Sequence, residues 1–279
     1  MKSIFDKVSH RCSKIVTHQY STSFSIAIKL LSTSIRQDIY NIYGFVRFAD
    51  EIVDSFHDYD KAVLFTEFEE NLDRAIARRI SLNPILNGFQ ETVHKYSIPE
   101  SEYKSFLKSM AQDLTVKKYA GQSDLDHYVY GSAEVVGLMC LRVFVKGDEA
   151  RFRQLQSYAA KLGSAFQKVN FLRDLKEDYE LRNRSYFPDI DFRNLDEQAK
   201  IKIIADIETD FEEGLAGISK LPSEARWGVY TAYLYYRKLV EKLKRTPLLQ
   251  IRHERIRVPN YQKVGLLARS YISLHLRSI

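Results

Sequence analysis

An all-α fold is what this sequence predicts, and three observations carry the expectation. Apolar residues recur at helical spacing nearly everywhere. The 11 Gly and 6 Pro are spread through the chain, which suits long helices joined by short loops better than a turn-rich sandwich. No low-complexity tract, fixed-period repeat or long linker divides the 279 residues, so 1–279 reads as a single helical domain.

Taken in order, helices are expected at roughly 3–16, 19–31, 35–55, 60–79, 84–95, 99–115, 123–146, 151–180, 195–215, 222–244 and 260–276. Ser97 with Glu100 resembles a capping box, with Pro99 in the first turn. Pro222 opens another helix, and Pro188 closes a loop after the segment ending near Glu180.

Apolar residues make up 45% and charged residues 28%, enough for a packed core and too apolar for disorder. Cys12 and Cys140 stand in no metal or redox spacing, and two cysteines make no disulfide framework, so a reducing compartment is expected. The N-terminus lacks the apolar core of a signal peptide. The best apolar run, Val135 to Val145, is too short for a membrane span and carries Arg142. A cytoplasmic protein is the expectation. The net charge of +6 comes from basic residues interleaved with acidic ones, which argues against nucleic acid but suits anionic substrates or peripheral contact with an anionic inner membrane surface.

Two segments are apolar around most of their circumference and should run through the interior. On 35–55, Tyr43, Arg47, Asp50 and Asp54 are spaced by four, three and four, which stacks them on one helix face. On 151–180, Gln167, Asn170, Asp174 and Asp178 are spaced by three, four and four, with Gly163 leaving room on the same stripe. One Asp-x-x-x-Asp pair is an ordinary solvated pattern. An ion-pair network, with Arg47 on Asp50 or Asp54 and Arg173 on Asp174, would account for either column alone. Both columns on the two most buried helices call for more. Two carboxylates about 4 Å apart repel by roughly 4 kcal/mol at an effective dielectric of 20. Four in one cavity need counter-charge or protons. All-oxygen donors favour Mg²⁺, with Mn²⁺ as substitute, over zinc. The residues alone therefore indicate a Mg²⁺ site for a phosphorylated substrate and do not name that substrate.

The same residues carry a resemblance. Leu162-Gly163-Ser164-Ala165-Phe166-Gln167-Lys168-Val169-Asn170-Phe171-Leu172-Arg173-Asp174-Leu175-Lys176-Glu177-Asp178, followed by Arg184-Ser185-Tyr186-Phe187-Pro188, resembles the second signature of the squalene/phytoene synthase family. Tyr43 to Asp54 resembles the first, and Tyr20-Ser21-Thr22-Ser23-Phe24 the serine-rich substrate flap. Tyr128 to Gly137 is a looser match, with departures at Val129 and at Glu134, where the family has a small residue. Tyr236 and His253-Glu254-Arg255 are similar to later segments, and the likeness runs from about 15 to 270.

This resemblance implies an isoprenoid-synthase helical bundle with a central active-site cavity. It implies head-to-head joining of two prenyl diphosphates through a cyclopropyl intermediate. Asp50, Asp54, Asn170, Asp174 and Asp178 would hold Mg²⁺. Tyr43, Arg47, Gln167, Arg173 and Arg255 would bind diphosphate or orient the ligands. Tyr130 and Tyr236 would line the reacting region, and Tyr20, Ser21, Ser23 and Phe24 would form the flap. Eukaryotic squalene synthases carry a C-terminal membrane anchor, and the chain, ending at Ile279, resembles the compact bacterial type. Phytoene synthase, using two geranylgeranyl diphosphates, is the first expectation within it. A squalene or dehydrosqualene synthase using two farnesyl diphosphates is the second. No Gly-rich nicotinamide fingerprint is present, and squalene formation needs that reductant. A non-catalytic assembly factor of the same fold should have eroded the Asp columns, and here all four Asp persist.

Overall fold

Short polar side chains and prolines set where the helices begin. The computed structural model describes residues 1–119, 121–182, 184–187 and 195–276. α1 (Lys2–Tyr20) gives way to α2 (Thr22–Lys29) at Ser21, whose hydroxyl accepts from the Phe24 amide at 3.1 Å. α3 (Thr33–Ser55) follows Ser32, and α4 (Lys61–Arg78) is capped by Asp60. α5 (Pro84–Tyr96) is capped by Asn83, with Pro84 in its first turn. α6 (Glu100–Thr115), α7 (Gln122–Val129) and α8 (Val135–Phe144) follow. α9 (Glu149–Arg173), capped by Asp148, leads into the short α10 (Leu175–Glu180). α11 (Glu197–Ile218), α12 (Ser223–Arg245), α13 (Leu248–His253) and α14 (Asn260–Leu276) complete the order. Among the described residues there is no strand, only one isolated bridge between Lys118 and Ser185.

Four local expectations are altered. Ser97 does not cap α6. It closes α5 in a left-handed conformation at φ 51°, and Pro99 precedes α6 instead. The helix expected over 123–146 is interrupted by a π turn, Tyr130–Glu134. Gly131 lies so close to α6 that a Cβ there would stand 2.0 Å from Ser109 Oγ and 2.7 Å from the Ser105 carbonyl, and the wide turn accommodates that approach. The segment expected over 151–180 bends at Asp174, between α9 and α10. The i→i−4 hydrogen bonds of the Asp174 and Asp178 amides persist across the bend at 2.8 and 2.9 Å, so the polar column stays on one face. α13 was not anticipated. Pro188 lies outside the described residues.

α3 packs among α1, α5, α6 and α8, and Phe45 on its buried face stacks on Phe89 with centroids 3.9 Å apart. α9 packs against α8, α11 and α12. Gly137 lets α8, and Gly163 lets the π turn before it, meet α9 backbone to backbone, since a Cβ on either would come within 2.8 Å of a facing carbonyl oxygen. Between α3 and α9 lies a cavity of about 310 Å³ to which both helices contribute walls.

Candidate active site

α3 brings Tyr43, Arg47, Asp50 and Asp54 to the cavity mouth. The Arg47 guanidinium grips Asp50 and Glu51, one turn on, and lies over the Tyr20 ring at 4.3 Å. Burial, with Asp54 adding repulsion, pushes the Asp50 carboxyl up to about 6. Burial also pushes the Tyr43 phenol, which hydrogen-bonds with Ser21, up to about 12.

The second column faces it from α9 and α10. Gln167 Nε2 donates to Ser132 at 3.4 Å, and Tyr236 on α12 donates its hydroxyl to Asn170 Oδ1 at 3.3 Å. Asp174 is held by two cations: Arg173 Nε at 2.8 Å and, from the segment after α13, Arg255 Nε at 2.8 Å. Arg255 also reaches Glu177 at 3.2 Å. Burial raises the Asp178 carboxyl to about 7 against the pull of Arg182, with Asp174 and Asp54 adding repulsion.

Arg182 ties the two columns together. Its Nη1 lies 2.9 Å from Asp178 and its Nε 3.3 Å from Asp54. Arg184 is almost fully buried behind Asp54, donating to it at 2.8 Å and to the Asp113 carbonyl at 2.9 Å. Asp113 is buried on α6, accepts from the Tyr128 hydroxyl at 2.8 Å, and is pushed by burial up to about 7 although Arg184 opposes the shift.

Beyond these charges the walls are apolar. Phe166 stacks on Tyr236 with centroids 4.1 Å apart, and Phe24 lies 6.0 Å from Tyr236 and 5.8 Å from Tyr43. Ile42, Val46, Val136 and Leu162 continue the lining inward. Such a chamber excludes water while placing aromatic faces near the mouth, where a carbocation would be sheltered.

The fold thus gathers Tyr20, Ser21, Phe24, Tyr43, Arg47, Asp50, Asp54, Gln167, Asn170, Arg173, Asp174, Asp178, Tyr236 and Arg255 around one mouth. Two expected residues stand elsewhere. Tyr130 is 45% exposed, because two residues on from the buried Tyr128 put it about 200° round the helix, and Tyr128 is the tyrosine turned inward. Ser23 lines a separate small pocket with Thr231, Tyr235 and Lys263, because its side of α2 faces α12 and α14. Glu134 does not line the cavity either; its carboxyl is raised by burial and lies near Asp210, Lys161 and Lys168. Sequence reasoning gave no role to Arg182, Arg184, Asp113 or Tyr128. Asp113 left a signal: it follows Phe106 and Met110 on the buried face of α6, an acid where an apolar residue would be expected.

Among the described residues no three Asp, Glu, His or Cys converge closely enough to hold a metal ion by themselves. The donor set still fits Mg²⁺, which is typically bound through one or two carboxylates plus substrate phosphates. Asp50 and Asp178, raised by burial and by carboxylate neighbours, are where a shared cation would relieve repulsion.

A helical bundle closed around an apolar chamber, with facing carboxylate columns at its mouth, has the isoprenoid-synthase fold. A solved structure of a dehydrosqualene synthase superposes with a TM-score of 0.81 at 22% identity, covering 96% of this chain and 97% of the other. A phytoene synthase of Arthrospira platensis is 26% identical over 93% of this chain and 91% of its own length. Phytoene synthase 3, chloroplastic, of Zea mays is 27% identical over 94% of this chain, which spans 65% of that relative. The family model for squalene/phytoene synthase matches residues 17–262. The chain belongs to the squalene/phytoene synthase family, a family of prenyltransferases.

Proposed function

We propose that this protein condenses two geranylgeranyl diphosphates head to head into phytoene, through the cyclopropyl intermediate prephytoene diphosphate, with release of both diphosphates. The observation that carries this reading is the pairing of a charged mouth, where two Asp columns and four arginines (Arg47, Arg173, Arg182 and Arg255) meet, with a long apolar chamber behind it. The phytoene synthases of Arthrospira platensis and maize support the choice of product.

In this reading Asp50, Asp54, Asn170, Asp174 and Asp178 hold Mg²⁺ together with the diphosphates, and the metal supplies neutralisation of the charge that builds on the leaving group. Arg47, Arg173 and Arg255 bind diphosphate oxygens beside the columns and stabilise the same charge as fixed cations. Tyr43, Gln167 and Tyr236 orient the groups at the mouth. Phe24 and Phe166 keep water from the cation, and their faces and that of Tyr236 stabilise it.

A second reading, condensation of two farnesyl diphosphates, is favoured by the similarity to a dehydrosqualene synthase. One experiment separates them: purified protein with Mg²⁺ and either diphosphate, with and without NADPH, followed by identification of the hydrocarbon. Phytoene without NADPH is expected, and failure to convert either diphosphate would sink both readings. No helix among the described residues is long and apolar enough to cross a membrane. A water-insoluble product nevertheless calls for peripheral membrane contact, and co-sedimentation with anionic liposomes is the expected result.

A further inference from the structure

α1 is built inside out. The side chains it buries fully are small hydroxyls, Ser9, Ser13 and Thr17, while Cys12 and Val16 at the edge of that face are partly buried against the core. Ser9 Oγ donates to the Phe5 carbonyl at 3.1 Å and Thr17 Oγ1 to the Ser13 carbonyl at 2.9 Å, so the helix's own backbone satisfies them. Their small size seats α1 closely: a Cβ on Gly44 of α3 would stand 3.2 Å from Ser13 Oγ, and one on Gly88 of α5 3.4 Å from the same atom. The larger aliphatic side chains point away, with Ile4 65%, Val8 47% and Ile15 58% exposed. A surface helix of a globular protein buries such a stripe.

The outer face is also cationic. At about 100° per residue, Arg11, Ile4, Ile15 and Val8 fall within an arc of about 60°, and Lys7 and Lys14 border it on one side. All three cations are exposed, and none pairs with an acid among the described residues. The helix's one acid, Asp6, lies on the opposite side, held by Lys2 at 2.9 Å and by Asn87 at 3.2 Å. On the flank, Glu91 of α5 is matched by His10 at 3.0 Å. Aliphatic side chains set among free cations, with no acid between them, complement a surface that is anionic outside and apolar beneath. A second copy of the same face would instead set like charge on like charge.

We propose that the outer face of α1 is the surface by which the protein lies on an anionic lipid bilayer, with Ile4, Val8 and Ile15 entering the acyl boundary and Lys7, Arg11 and Lys14 meeting lipid phosphates. The assignment rests on the peripheral contact argued above from a water-insoluble product, and names the residues that make it. α1 ends at Tyr20, whose ring covers Arg47 at the cavity mouth, and Ser21 opens the flap helix α2. Ile15 is five residues from Tyr20, about 7.5 Å along the axis. Docking α1 therefore sets the mouth beside the lipid that receives the hydrocarbon.

The test measures lipid binding apart from turnover. The full chain is co-sedimented with vesicles of mixed phosphatidylglycerol and phosphatidylcholine, and with vesicles of phosphatidylcholine alone. The wild type should partition at least about tenfold more strongly into the anionic vesicles. Each cation at such a surface strengthens partition about fivefold, so Lys7→Gln, Arg11→Gln and Lys14→Gln combined should weaken it about a hundredfold. Ile4→Ser, Val8→Ser and Ile15→Ser combined should weaken it at least about tenfold. A charge-matched control, Lys108→Gln, Arg153→Gln and Lys202→Gln on the exposed faces of α6, α9 and α11, should cost less than about fivefold. Equal losses in the two charge triples would assign binding to net charge and overturn the role of α1. Unchanged binding in both α1 triples would overturn it while leaving peripheral contact standing; if the serine triple does not fold, the glutamine triple alone decides. A wild type that binds neither vesicle sinks both the peripheral contact and the α1 surface. Sedimentation equilibrium addresses the other occupant: a wild-type dimer that the serine triple converts to monomer would give this face to a second copy and overturn the lipid assignment.

Discussion

The two carboxylate columns share a spacing but are held by different kinds of partner. On α3 the counter-charge is divided: Arg47 on the same helix closes on Asp50 and Glu51 within one turn, whereas Asp54 is met by Arg182 and Arg184 from far along the chain. On α9 and α10 each Asp has a cation close in sequence, Arg173 beside Asp174 and Arg182 four residues after Asp178, and Arg255 adds a remote one on Asp174. The α3 column is anchored on a continuous helix through the Phe45–Phe89 stack, whereas the other straddles a bend. The first column is complete only when the segment after α10 has brought Arg182 and Arg184 to Asp54. The second is complete only when the segment after α13 has docked against α10.

The sharpest way to break this comparison is to remove one carboxylate from each column. Asp50→Ala and Asp174→Ala should each lower hydrocarbon formation by at least about a hundredfold while circular dichroism still reports a folded helical protein. Near-normal turnover in either variant would mean that its column holds no metal. The next effect is on pH dependence. Asp50 at about 6 and Asp178 at about 7 keep protons in the folded, metal-free protein that the unfolded chain has already released. Their contribution to stability is therefore full below about pH 4 and is lost as pH rises through 6 to 7. Denaturant titrations without Mg²⁺ should show stability falling across that window, and Asp178→Asn should flatten the fall. A flat profile in the unmodified protein would contradict the burial of these groups.

Arg182→Gln removes a guanidinium that pairs with one carboxylate of each column. It should cost about 1–3 kcal/mol without metal, and added Mg²⁺ should raise the melting temperature more than in the unmodified protein. An equal Mg²⁺ response would show that Arg182 and the cation do not share carboxylates. The smallest effects separate two neighbouring tyrosines. Tyr128→Phe leaves buried Asp113 without its hydroxyl partner and should cost about 1–3 kcal/mol. Tyr130→Phe, at an exposed position, should stay within about 0.5 kcal/mol and within twofold in turnover.

Both Asp columns were legible in the sequence because helical spacing alone puts their members on one face, and an otherwise apolar circumference marks them as interior. Arg182 and Asp113 were not, because what matters about them is a partner many residues away, and periodicity records only near neighbours. Tyr128 and Tyr130 stand about 200° apart on one helix, so only one can face inward, and which one does depends on the tertiary packing of α7. Cavity depth was illegible for a related reason: it depends on how closely α9 and α11 approach at Gly217, a tertiary distance with no local pattern.

The π turn at Tyr130–Glu134 has a wider consequence. It works as an index mark on a dial. Downstream, Val136, Gly137, Cys140, Leu141 and Phe144 form the stripe of α8 that faces the chamber. Deleting a single residue within the turn would rotate that stripe by about 100°, one residue's share of a helical turn. The chamber would then be faced by the neighbouring strip of α8, although no lining residue had been substituted. In this part of the molecule a change in chain length is more disruptive than a change in side chain, and variants of the chamber are best made by substitution on α8 and α9 with the turn left at five residues.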